Sequence, residues 1–139
     1  MKNKFEKGMF IEKKIMTTPE MAASRFHDSS PHVLSTPSLV GFMQITCADL
    51  MAPFLDSNEL VVSVKIELNH IASAPIGSTL KIRAEIHKIK GREIIFKIEA
   101  FDESEKIAYG FNDMFLIDNE RFSKGVEKKK EKLDYTQKF

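Results

Sequence analysis

An α+β domain, in which a curled antiparallel sheet surrounds one long helix, is predicted by three features of this 139-residue chain. Residues 37–52 could form about four helical turns that are apolar over most of their surface, and a helix apolar nearly all round is wrapped by other structure. Residues 59–118 then alternate apolar and polar side chains with the period of half-buried strands. Ahead of both, residues 8–17 carry Met9, Phe10, Ile11, Ile15 and Met16 between lysines and glutamates and read as a first strand. A hydrophobic content of 42% is enough for one domain with a real core, assigned to residues 1–122, leaving 123–139 as a charged tail.

Each element follows from local chemistry. Thr18-Pro19-Glu20-Met21 opens a short helix over about 19–26, with a cap, a proline in the first turn and an acid behind it. Residues 27–31 are turn chemistry, and Ser35-Thr36-Pro37 offers Thr36 as the cap of the central helix with Pro37 at its first position. Pro53 ends that helix, in which Gln44 and Asp49 alone are strongly polar. Leu80, Ile82, Ala84 and Ile86, then Ile94, Phe96, Ile98 and Ala100, mark the buried faces of two strands joined through a turn at 88–92. A further turn at 102–105 leads into the strand 106–117, which completes an antiparallel meander. His87 falls in the charged register and reads as a surface residue. The tail, with Lys124, Lys128, Lys129, Lys130 and Lys132, reads as a solvated helix or a frayed end, or else as an arm that attracts phosphate or a partner.

Composition narrows the functional classes. Twenty-one basic against 20 acidic residues leave the chain near neutral, without the global basic character of a nucleic-acid binder. The single cysteine, Cys47, sits in an apolar segment and reads as an inert buried thiol rather than a metal ligand. The charged N-terminus has no secretory h-region and no stretch approaches the length of a membrane span, so a cytoplasmic protein with no membrane partner is expected.

One residue stands apart. From Leu60 to Leu68 every even position is apolar, and a period of two puts His70 at the end of that covered row. An imidazole there titrates near neutrality; it is either a histidine satisfied by the backbone or a working base.

The segments Val33-Leu34-Ser35-Thr36-Pro37-Ser38-Leu39-Val40-Gly41 and Asn69-His70-Ile71-Ala72-Ser73-Ala74-Pro75-Ile76-Gly77, with Gly91-Arg92 and a strand centred on Gly110, resemble hotdog-fold acyl-CoA thioesterases, nearest to the fluoroacetyl-CoA thioesterase type. The resemblance covers about residues 8–122, and its H-x-A-x-x-P-x-G stretch is its most specific part. It implies a hotdog fold, a homodimer with sites at the subunit boundary, an acyl-CoA or related thioester as substrate, and no metal or organic cofactor. It also implies a threonine before the helix, a carboxylate within it and a histidine ending the next strand, which fall on Thr36, Gln44 and His70. The middle position departs from the family, because an amide can orient by hydrogen bonds but can neither accept a proton from water nor form an acyl anhydride. Asp49 does not replace it, since five residues turn a helix by about 140° beyond one full circle.

Two assignments remain. In one, His70 is the base toward water or the Thr36 hydroxyl while Gln44 positions the nucleophile; in the other, Thr36 merely caps the helix and the pocket binds an acyl thioester without turnover. Gly41, Phe42 and Ile45 are candidates for the acyl slot, and Lys88, Lys90 and Arg92 for the phosphates of coenzyme A. A hotdog dehydratase fits less well, because His70 has no partner acid on the helix.

Overall fold

The computed structural model describes residues 4–136, with the backbone alone for 134–136; the first residues of the charged N-terminus and the last of the charged tail lie outside it. The elements are β1 (Phe10–Met16), α1 (Thr36–Met51), β2 (Glu59–His70), β3 (Thr79–Lys90), β4 (Glu93–Phe101), β5 (Lys106–Asp118) and α2 (Asn119–Thr136). All five strands join one antiparallel sheet in the order β1-β3-β4-β5-β2. The curled sheet packs on α1: Leu39, Met43, Cys47 and Met51 of α1 are fully buried with Ile82, Ile86, Phe96 and Ile98. The meander β3-β4-β5 buries the alternating residues its sequence marks.

Four details differ from expectation. Residues 19–26 form two separate 3-10 turns, Pro19–Met21 and Ala23–Arg25, because the extended backbone of Ala22 interrupts them. Ala22 is fully buried and bridges to Leu34, a tertiary contact that overrides the local helix signal. The β3–β4 connection is a two-residue turn at Gly91-Arg92, made possible by Gly91 at φ +59°, and β3 runs on through Lys88 and Lys90. The sheet covers only one side of α1, and Ile45 on the other side is 56% exposed.

The fourth difference lies in β2. A β-bulge between Ser63 and Lys65 shifts the register, so the even-numbered row does not run unbroken. Val61 and Ser63 lie opposite the buried Leu116 and Met114, whereas after the bulge Ile66, Leu68 and His70 lie opposite the buried Asn112, Gly110 and Ala108. Leu60 and Val64 are 43% and 56% exposed. One inserted residue reverses which face each later side chain occupies. The bulge is therefore what turns His70 toward the covered side.

Candidate active site

Two chain segments converge at the end of β2. The Leu34 amide donates to the Ala74 carbonyl at 2.9 Å and Val33 bridges to Pro75, which fastens the approach to α1 against the segment after His70. Within that segment Ala74 is fully buried and Gly77 adopts φ +100°, while the Gly77 amide donates to the Thr17 hydroxyl at 2.8 Å. The alanine, proline and glycine of the motif thus build a brace. Two residues before His70, Leu68 pairs with Gly110, where a Cβ would stand 1.8 Å from the Glu67 carbonyl oxygen, so only glycine allows β2 to lie so close to β5.

Ser35, not Thr36, is the N-cap of α1: its hydroxyl accepts from the Ser38 amide at 3.1 Å, which places Thr36 and Pro37 within the first turn. Relieved of capping, the Thr36 hydroxyl is hydrogen-bonded to His70 Nδ1 at 2.8 Å. The first turn has few amides to offer. Pro37 has none, the Ser38 and Leu39 amides both bond back to Ser35, and the Thr36 amide alone has no partner among the described residues.

Burial lowers the pKa of His70 from its ordinary value, with the Ala72 backbone opposing more weakly, so the ring is neutral at pH 7. In the tautomer that leaves Nδ1 bare, the threonine hydroxyl donates to it and Nε2 carries the proton. Nε2 is buried and has no hydrogen-bond partner among the described residues. Such an orphan group costs about 1–3 kcal/mol, unless a ligand, water or second subunit satisfies it. Beside the ring lies an open cavity of about 240 Å³ lined by Val33, His70, Ile71, Ala72 and Ser73.

The remaining candidates lie elsewhere. Gln44 is half-buried, its side chain makes no hydrogen bond among the described residues, and it lies about 12 Å further along α1 than Thr36 at 1.5 Å per residue. Asp49 points away and forms an ion pair with Lys13 of β1. Gly41 and Phe42 are partly buried, Ile45 is exposed, and Gly41 has open space where a side chain would stand. Lys88 and Lys90 are exposed at the end of β3, and Arg92 Nε donates to the Leu116 carbonyl at 2.8 Å. His70 pairs with Ala108, eight positions from Leu116 on β5, which is about 26 Å at the rise of a strand. Within one chain these cations and His70 occupy opposite ends of the sheet.

One polar group escaped the sequence reading. Asn112 is fully buried in the inward register of β5, and among the described residues neither amide atom is hydrogen-bonded to an oxygen or nitrogen. It neighbours Cys47, whose thiol burial pushes up to about 12 while the Asn112 amide pulls it down. The period of two in β5 was the signal that could have exposed it. Among the described residues no group of three or more His, Cys, Asp or Glu is arranged to hold a metal ion.

Residues 17–120 match the family of fluoroacetyl-CoA-specific thioesterases, FlK. The fluoroacetyl-CoA thioesterase of Streptantibioticus cattleyicolor is 31% identical over 99 residues, which cover 71% of each protein. A solved structure of the fluoroacetyl-CoA thioesterase FlK superposes with a TM-score of 0.85 at 26% identity, over 91% of this chain and 98% of that one. A thioesterase superfamily member from Thermus thermophilus has the same fold, with a TM-score of 0.87 at 24% identity over 94% and 96% of the two chains. With three quarters of its length matched and its motif residues forming the brace around Thr36 and His70, the chain belongs to the fluoroacetyl-CoA-specific thioesterase family.

Proposed function

We propose that the protein hydrolyses a small acyl-CoA thioester, with the Thr36–His70 pair as its chemical centre. The observation that carries this reading is the 2.8 Å hydrogen bond between the Thr36 hydroxyl and Nδ1 of a histidine kept neutral by burial. Neutral His70 accepts a proton, either from a water or from the Thr36 hydroxyl, as the oxygen attacks the thioester carbonyl carbon. The Thr36 amide, free in the first turn of α1, is the donor available to the developing oxyanion. Collapse of the tetrahedral adduct breaks the carbon–sulfur bond, and the imidazolium returns its proton to the departing thiolate. Through water the products are the acid and free coenzyme A; through Thr36 an acyl-threonine ester forms first and water then cleaves it. General base catalysis of this type contributes about 10²–10⁴ in rate.

Gln44, at its distance along α1, acts on the bound acyl group or reaches a dyad from a second subunit. The free edge of β2 and the exposed Ile45 favour a homodimer in which both are covered. Antiparallel pairing of two β2 edges brings the far end of one sheet beside the other chain's His70. In that arrangement Lys88, Lys90 and Arg92 of the second copy serve the phosphates of coenzyme A. Gly41, Phe42 and Ile45 shape the acyl slot from the open side of α1.

The amide at position 44 favours a second reading, a protein that binds an acyl thioester without turnover. Thiol release from short, branched and aromatic acyl-CoAs, measured for wild type beside His70→Ala, separates the two. Release lost in the variant supports the enzyme; no release with any substrate, together with a raised melting temperature on adding acyl-CoA, supports the binding protein.

A further inference from the structure

We propose that α2 and the β3–β4 hairpin together form a docking surface for an anionic lipid bilayer. The family match ends at residue 120, so nearly all of α2 lies beyond it, and the α2 part of this inference does not depend on the thioesterase reading, whereas the hairpin cations are shared with it. α2 meets the rest of the protein chiefly where it leaves β5. There Asp118 accepts the Arg121 amide at 3.0 Å and the Asn119 amide donates to the Asn58 carbonyl at 2.8 Å, which fixes the direction of departure.

The apolar stripe of α2 has its flanks in lysine. At 100° per residue Phe122, Leu133 and Val126 fall within an arc of about 40°. Their exposures are 47%, 44% and 50%, so the stripe faces solvent along three turns. Lys129 and Lys130 flank it at about 40° and 60° from its centre, with Lys132 next on the Lys129 side. Glu120, Glu127 and Glu131 lie about 120–160° away, where Arg121, Lys124 and Lys128, at about 120–180°, balance them, so the net positive charge is carried beside the stripe. A second copy of the same helix is a poor partner for this stripe, because lysines would meet lysines along both flanks. A planar anionic surface suits it: the apolar stripe enters the headgroup boundary while the lysine stems lie along it with their ammonium groups on phosphates.

A second element carries the same pairing at the same end of the sheet. The hairpin sequence Lys88-Ile89-Lys90-Gly91-Arg92 presents Ile89, 37% exposed, between cations. The hairpin is tied to the root of α2 by the Leu116 amide donating to the Arg92 carbonyl at 2.9 Å and by Arg92 Nε donating to the Leu116 carbonyl at 2.8 Å. No helix of the described residues is long and apolar enough to cross a membrane, and a helix lying in the interface needs no such length. The expectation of no membrane partner, which rested on the lack of a span, does not extend to this surface.

Co-sedimentation of the full-length protein with phosphatidylcholine vesicles, with and without phosphatidylglycerol, tests the proposal. Partition onto the anionic vesicles alone, weakening with salt, is the expected result. The triple variant Lys129→Gln, Lys130→Gln, Lys132→Gln should weaken it by roughly a hundredfold, since each lysine near an anionic surface contributes about a fivefold change. Phe122→Ser with Val126→Ser should weaken it with every charge retained. All these positions are exposed on α2, so the variants keep the domain intact, and an unchanged melting temperature verifies it. No partition at low salt, equal partition onto neutral vesicles, or full retention in either variant would overturn the proposal. Binding of polyglutamate as tight as that of anionic vesicles, and indifferent to the serine variant, would instead identify an acidic protein as the partner.

Discussion

Thr36 Oγ1 and His70 Nδ1 lie 2.8 Å apart across 34 residues of sequence, joined because Ser35 takes the capping role and leaves the threonine hydroxyl free. Neighbouring hydroxyls therefore have separable roles. Ser35→Ala removes the cap and should cost about 1 kcal/mol, or roughly 4 °C in melting temperature. Thr36→Ala should leave stability nearly unchanged, since Thr36 is exposed, while lowering kcat/KM about 10²-fold or more. Thr36→Ser should retain most activity. Calorimetry paired with thiol-release kinetics checks the contrast, and a Thr36→Ala protein of full activity would remove the hydroxyl from the mechanism.

His70 gives the pH dependence a definite sign. Burial lowers its pKa below the ordinary 6.5, so the base form persists at neutrality and hydrolysis should hold a plateau at pH 7. The rate should fall only as pH drops through the lowered pKa, giving an acidic limb of slope one in a plot of log kcat/KM. The linkage to stability has the same direction. Between the lowered folded value and 6.5 the unfolded chain binds more protons, so the contribution of His70 to stability is present above 6.5 and lost as pH falls through that window. A limb centred above 6.5 would contradict the burial of the ring.

Most of the fold was legible because it rests on long alternating runs: β3 and β4 bury the residues their period marks. The errors have a common cause, tertiary contacts invisible in local sequence. Ala22 is pulled into the core and divides a helix signal into two turns, and the bulge at Val64 reverses the phase of β2 and so brings His70 to the covered side. The pairing of Thr36 with His70 was legible only through the family's motif, since no period links positions so far apart. Ser35 as the cap and the buried amide of Asn112 were both readable in principle, from cap preference and from strand period.

Gly110 should be the least replaceable residue in the sheet. A methyl group there would stand 1.8 Å from the Glu67 carbonyl oxygen, a backbone atom that cannot move without breaking the pairing of β2 with β5. Gly110→Ala is expected to cost about 3 kcal/mol or more and to displace His70, two pairs further along β2, from Thr36. Gly41→Ala is the control, because open space surrounds the position on α1. Urea unfolding of the two variants should differ by most of that amount, and comparable losses would mean that the close strand approach is unimportant.

Gln44 decides what kind of thioesterase this chain is. An amide there can hold a nucleophile or an acyl group but cannot take a proton, so in the proposed mechanism His70 supplies the basicity. If the missing carboxylate limits the rate, Gln44→Glu should raise kcat while leaving the slope of the acidic limb to report both groups. If the amide instead donates through its N–H to the substrate, the glutamate loses that donor and brings a charge beside an acyl group, so kcat falls and KM rises. Asp49→Asn separates either result from a general effect of helix charge: Asp49 is paired with Lys13 on the other side of α1, and its replacement should leave kcat unchanged. A rise with Gln44→Glu and none with Asp49→Asn would place the reaction with enzymes that use a helix carboxylate. A fall would assign this chain a mechanism run by Thr36 and His70 alone.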